Sequence, residues 1–192
     1  MSRKLLRELE DLLVREFSRQ IRTSPPKHEI CIVHLLYFDN SGPYTYFRTE
    51  DTSTAYRDKV CSVSEYEGLS TIWDASELRD DLGHAGDWGI APDDPDISDQ
   101  DKATLENVFE YLCAKESRTW FMWPYCRTVL RACKRLNRED WSDVPNLSDD
   151  FVIVAGEGCG HSKFEPYFSL TRSKYRMLRR KGFIGPGIFM TY

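Results

Sequence analysis

No apolar run in this chain approaches the length needed to cross a bilayer, and its first residues, Met-Ser-Arg-Lys-Leu-Leu-Arg-Glu-Leu-Glu, break leucine with charge at helical spacing. A secretory signal needs an uninterrupted apolar stretch at that place, so a cytoplasmic protein without a membrane partner is expected. The six cysteines (Cys31, Cys61, Cys113, Cys126, Cys133, Cys159) contain no C-x-x-C pair. In a chain without an export signal, such cysteines are expected to stay reduced. A surplus of base is also missing, with a formal net charge of −5 and a pI near 5.4. A protein that wraps nucleic acid with its whole surface needs excess Lys and Arg. Nucleic acid is therefore not the expected partner, and only a local basic patch stays open. No complete catalytic, phosphate-binding or metal-ligand constellation is present either, so no cofactor is expected.

What is present suits a folded body. An apolar fraction of 41%, with 13% aromatic residues, offsets the chain entropy lost on folding. A length of 192 residues fits one domain, 1–192, with the basic segment 165–192 as the one candidate appendage. Charge is divided along the chain. Residues 74–101 carry ten acids against one base, Arg79, while residues 172–181 carry six bases and no acid.

Hydrophobic spacing predicts the elements. Leu5, Leu6, Leu9, Leu12, Leu13, Phe17 and Ile21 form one stripe of a helix over 3–22, which Pro25 and Pro26 end. Glu29–Phe38 is apolar throughout and β-branched, as a central strand is. Asp39-Asn-Ser-Gly-Pro43 is a turn, and Tyr44–Thr49 returns as the second strand of a hairpin, with Tyr44, Tyr46 and Arg48 on one face. Side-chain caps in Thr49–Thr54 start a short helix toward Val60, and a second short helix fits 73–82. Gly83–Ile97 is rich in Gly, Pro and Asp and is expected to be an exposed loop. Ser98 and Asp101 cap a helix over 99–115, and Pro124 opens a helix over 125–137. Phe151–Ala155 is a buried strand, and 165–181 is a basic amphipathic helix or a strand followed by one. The predicted class is α+β: a mainly antiparallel sheet with an N-terminal helix and a helix pair packed on it.

A long leading helix running into a strand that ends Leu36-Tyr-Phe-Asp39, the Thr49-Glu-Asp51 start of a short helix, and Trp73-Asp-Ala-Ser-Glu-Leu78 form an ordered set. With the helix pair at 99–137 leading to strand 151–155, this set resembles an uncharacterised bacterial family, domain of unknown function 4303. Members of that family often look like immunity-type proteins encoded near secreted toxins. The likeness spans about residues 3–155 and says nothing about Gly156–His161 or the basic tail. It implies a non-enzymatic protein that neutralises a toxin by occlusion, which is an argument from analogy.

The candidate docking residues for a basic protein partner are Asp80, Asp81, Asp87, Asp93, Asp94, Asp96, Asp99 and Asp101, because an acidic surface steers and selects such a partner. The alternative is a small enzyme built on Glu157, Cys159 and His161, where a thiol and an imidazole at a strand end resemble a nucleophile pair. A tight turn using the neighbouring glycines explains the same residues and is the preferred account. Cys159 and His161 lack the second pair that zinc requires, unless folding brings in His28, His34 or His84. Asp94-Pro-Asp96-Ile-Ser98 begins like a calcium loop and then fails, with Asp99 in place of the turn Gly and Leu105 in place of the bidentate Glu. Trp120-Phe-Met-Trp-Pro-Tyr125 is expected to seal the helix pair against the sheet, with an exposed partner-binding patch as the competing account. The basic tail is expected to be a solvated helix face paired internally with the acidic segment.

Overall fold

Ser2 starts the first element, its side chain accepting a hydrogen bond from the Leu5 N–H at 3.1 Å. Helix α1 then runs Arg3–Thr23 and buries Leu9, Leu12, Leu13, Phe17 and Ile21, the stripe set by its 3.6-residue period. The structure is a computed structural model and describes residues 1–36, 43–61, 84–113, 123–156 and 165–183. The elements after α1 are β1 (Ile30–Leu36), β2 (Tyr44–Arg48), α2 (Glu50–Cys61), β3 (His84–Gly89), α3 (Asp99–Cys113), α4 (Trp123–Leu136), β4 (Leu147–Gly156), α5 (Glu165–Ser169) and α6 (Arg172–Arg180).

The strands form one sheet in the order β3-β2-β1-β4. Strand β1 pairs antiparallel with β2 and parallel with β4, while β2 pairs antiparallel with β3, so the sheet is mainly antiparallel and the fold is α+β. The period of two along each strand divides the side chains between two faces. Val33, Leu35, Phe47, Phe151, Ile153 and Ala155 face the layer made by α1, α3 and α4, which supplies Leu9, Phe17, Leu105, Val108, Tyr125 and Val129 to the larger core. Ile32, Val152 and Val154 face the other way, where Leu170, Leu178 and Phe183 from the basic tail complete a smaller core. Each buried aliphatic or aromatic side chain of this kind contributes about 1.5–3 kcal/mol relative to exposure.

One expectation is overturned. The segment predicted as a loop between Gly83 and Ile97 contains β3, whose Trp88 is buried at 2% exposure beside Phe47, with ring centroids 4.4 Å apart. His-Ala-Gly-Asp-Trp-Gly contains no β-branched residue, so its pairing comes from neighbours and not from its own propensity. Gln20 supplies part of that: its side-chain amide donates to the Gly89 carbonyl at 2.8 Å and accepts from the Gly89 N–H at 3.1 Å. Such cover also protects the sheet edge. The Trp88 indole N–H donates to the Ser24 carbonyl at 2.9 Å, tying the strand to the end of α1. The predicted helix at 73–82 and residues 39–42 of the predicted turn lie outside the described residues.

The basic tail is fastened to the body through Asn137, at the end of α4. Its buried side-chain N–H groups donate to the carbonyls of Cys133, Ile153 and Ser169, and its oxygen accepts from the Ile153 N–H at 3.0 Å. One side chain thus joins α4, β4 and α5. Helix α6 is capped at both ends by its own sequence. Thr171 accepts from the Lys174 N–H, and after the helix the Gly182 N–H reaches the Arg179 carbonyl while the Phe183 N–H reaches the Leu178 carbonyl. Gly182 supplies the φ of 73° that this terminator needs, and Phe183 packs with Leu178 in the smaller core.

Candidate functional site

The acidic stretch is held in shape by its own side chains. Asp94 Oδ1 accepts from the Asp96 N–H at 2.9 Å, which fixes the turn. The Ser98 hydroxyl donates to Asp101 Oδ2 at 2.6 Å and accepts from the Asp101 N–H at 3.2 Å, a cap that fixes the start of α3. Ile90 and Ile97 anchor the segment in the core. These bonds account for the residues that resembled a calcium loop. Asp93, Asp96 and Asp99 are exposed, Asp94 is half-buried, and Asp99 and Asp101 lie in the first helical turn, where negative charge is favoured.

Part of this charge is neutralised at home. Arg15 on α1 pairs with Asp101 at 2.7 Å, and Arg19 stands 3.8 Å from Asp96. Both arginines also clamp the buried Glu16, at 3.1 and 2.8 Å. Asp101 therefore holds the Ser98 capping hydroxyl and is an ion-pair member. Asp80 and Asp81 lie outside the described residues, and Asp87 falls within β3.

The basic tail divides by direction. Lys174 and Lys181 turn inward. The Lys174 amine donates to the Phe151 carbonyl at 2.7 Å, and burial pulls its pKa down to about 8. Lys181 pairs with Asp150 and with Glu50, the latter at 3.0 Å, joining α6 to β4 and α2. Arg172, Arg176, Arg179 and Arg180 are exposed and form no ion pair among the described residues. The expected internal pairing with the acidic segment is thus absent among the described residues. α6 packs on the sheet face opposite α1 and α3, and the tail's acidic partners come from α2 and β4. Ser173, Arg176, Arg179 and Arg180 line an open depression of about 700 Å³.

Sequence reasoning missed the exposed rings of α5, which touch α6 through Tyr175. Tyr167 and Phe168 are 51% and 43% exposed, and Tyr167 makes edge contacts with Phe168 and with Tyr175 of α6, at 5.3 and 5.6 Å between ring centroids. The available signal was the Tyr-Phe pair immediately before a basic run. Also unforeseen is the buried polar centre on the same sheet face, where His34 and Arg48 are each 1% exposed. Burial, and after it the charge of Arg48, holds the His34 imidazole well below its ordinary value of 6.5, so it stays neutral. Burial pushes the nearby Cys31 thiol, 3.7 Å from Ser53 Oγ, up to about 11, which suppresses its nucleophilic thiolate.

Glu157, Cys159 and His161 lie outside the described residues, as do Trp120, Phe121 and Met122. Tyr125 is buried in the larger core. Of the histidines considered for zinc, His28 is exposed before β1, His34 is in the sheet and His84 opens β3. Among the described residues no three His, Cys, Asp or Glu side chains are grouped to hold a metal ion, and no helix is long and apolar enough to cross a membrane. No family model, no curated protein and no solved structure matches this chain.

Proposed function

We propose that this chain is a non-enzymatic binding protein that docks a basic protein partner on the acidic surface around residues 91–99. The observation that supports this is the arrangement of Asp93, Asp96 and Asp99, exposed on a segment that the Asp94 turn, the Ser98 cap and the buried Ile90 and Ile97 hold in place. Charge presented on a fixed support loses little entropy when a partner arrives, and it acts mainly on the rate and selectivity of association. The finer proposal, drawn from the family likeness, is an immunity protein that occludes a basic toxin domain.

The test uses the protein that co-purifies with the chain from its source cells, identified by mass spectrometry. Replacing Asp93, Asp94, Asp96 and Asp99 together by Asn should slow association about tenfold at low salt and flatten its salt dependence, as steering charges do. An unchanged association rate places the docking surface elsewhere. For the immunity proposal, co-expression with the partner should relieve its toxicity; a partner harmless on its own contradicts that assignment.

A further inference from the structure

The α5–α6 surface combines two independent features that the protein-docking proposal leaves unused. The first is the outward row of Arg172, Arg176, Arg179 and Arg180, one helix face spanning about 12 Å at 1.5 Å per residue, with no acid paired to it among the described residues. Arg15, Arg22, Arg131 and Arg135 each meet a carboxylate, at 2.7, 3.1, 2.7 and 2.6 Å. Arg3, Arg7, Arg127 and Arg138 are exposed without an ion pair among the described residues, so the four-arginine row on one helix face is what distinguishes α6. The second is the pair Tyr167 and Phe168, the exposed large apolar side chains among the described residues, which are linked to α6 through Tyr175.

We infer that α5 and α6 form a binding surface for single-stranded nucleic acid, with the arginines on consecutive phosphates and the Tyr167 and Phe168 rings available to stack on bases. Guanidinium forks match phosphate oxygens in pairs, and an aromatic face beside a basic groove is the combination that holds unpaired strands without reading their sequence. A duplex keeps its bases stacked inside and presents no base face to the two rings. The helix face is rigid, because Thr171 and the Gly182 turn fix both ends and Lys181 ties the last turn to Glu50 and Asp150. The surface is local, on a chain of net charge −5, so binding is salt-sensitive. Four phosphate contacts on a single strand give a slope of log affinity against log salt of about −3.

Fluorescence anisotropy of the full chain with labelled oligo-dT and oligo-U tests this, with a duplex of equal length and anionic vesicles as further probes. Single strands should bind with the slope of about −3, and the Arg176→Gln, Arg179→Gln, Arg180→Gln variant should reduce that slope to about −1. Tyr167→Ala and Phe168→Ala should each weaken single-strand binding about tenfold while leaving the slope unchanged. The stronger of the DNA and RNA arms identifies the preferred sugar. All the replaced side chains are exposed, and unchanged circular dichroism establishes that the variants fold. Absence of single-strand binding at low salt, equal affinity for the duplex, or binding confined to vesicles overturns the inference. So does single-strand affinity that survives the arginine substitutions.

Discussion

The acidic side of the molecule and its basic side begin alike, as runs of one charge, and differ in how the fold uses them. On the acidic side the chain consumes some of its own charge. Asp101 holds the Ser98 hydroxyl that caps α3 and pairs with Arg15, and Asp96 stands near Arg19. On the basic side the fold turns two lysines inward and leaves four arginines facing solvent. The summed charge of a segment therefore says less about binding than the direction in which each side chain points. Opposite displays also sit on opposite sides of one sheet, α1 and α3 against the first face and α6 against the second.

The joint between the two sides can be broken directly. Asn137→Ala leaves the buried carbonyls of Ile153 and Ser169 and the Ile153 N–H without that partner, and should cost about 3 kcal/mol in denaturant unfolding. A loss below about 0.5 kcal/mol, the range of ordinary surface substitutions, contradicts the role given to Asn137.

Lys174 sharpens the comparison through pH. Its amine has a folded pKa of about 8 against an ordinary 10.5, so between these values the unfolded chain holds more protons than the fold. Stability should then rise with pH from 8 to 10.5, the full penalty being present below 8. Lys174→Met should remove that rise when unfolding free energies of the two proteins are compared across the window. An identical rise in the variant assigns it to other groups.

Smaller effects separate charges used in folding from charges displayed. Asp101→Ala removes the carboxylate that accepts from the Ser98 capping hydroxyl, a first-turn negative charge and an ion pair, and should cost about 1 kcal/mol. The Arg176→Gln, Arg179→Gln, Arg180→Gln variant should change stability by less than about 0.5 kcal/mol. If the arginine variant loses more than Asp101→Ala, the assignment of inward and outward charge is reversed.

Much of the fold was legible because its signals are local. The leucine stripe of α1, the apolar β1, the Thr49 and Ser98 caps, and Pro124 in the first turn of α4 each act within a few residues. Strand β3 was not legible, since His84–Gly89 pairs through Gln20, Trp88 and Thr45, contacts made from segments dozens of residues away. The same holds for the charges. Composition marked both runs, yet only the packing of Leu178 and Phe183 under the sheet decides that Lys174 and Lys181 face inward while Arg176, Arg179 and Arg180 face solvent. His34 and Arg48 show the limit of alternation: the period of two assigned Arg48 to a face, and only the layers on that face bury it.

The salt dependence of partner association tests the central claim most directly, measured for the wild type, for the variant with Asn at positions 93, 94, 96 and 99, and for the variant with Gln at 176, 179 and 180. The wild type should associate faster as salt falls, the Asn variant should lose that acceleration, and the Gln variant should keep it, because the displayed carboxylates and not the net charge steer the partner. Equal salt slopes for all three proteins would contradict the account.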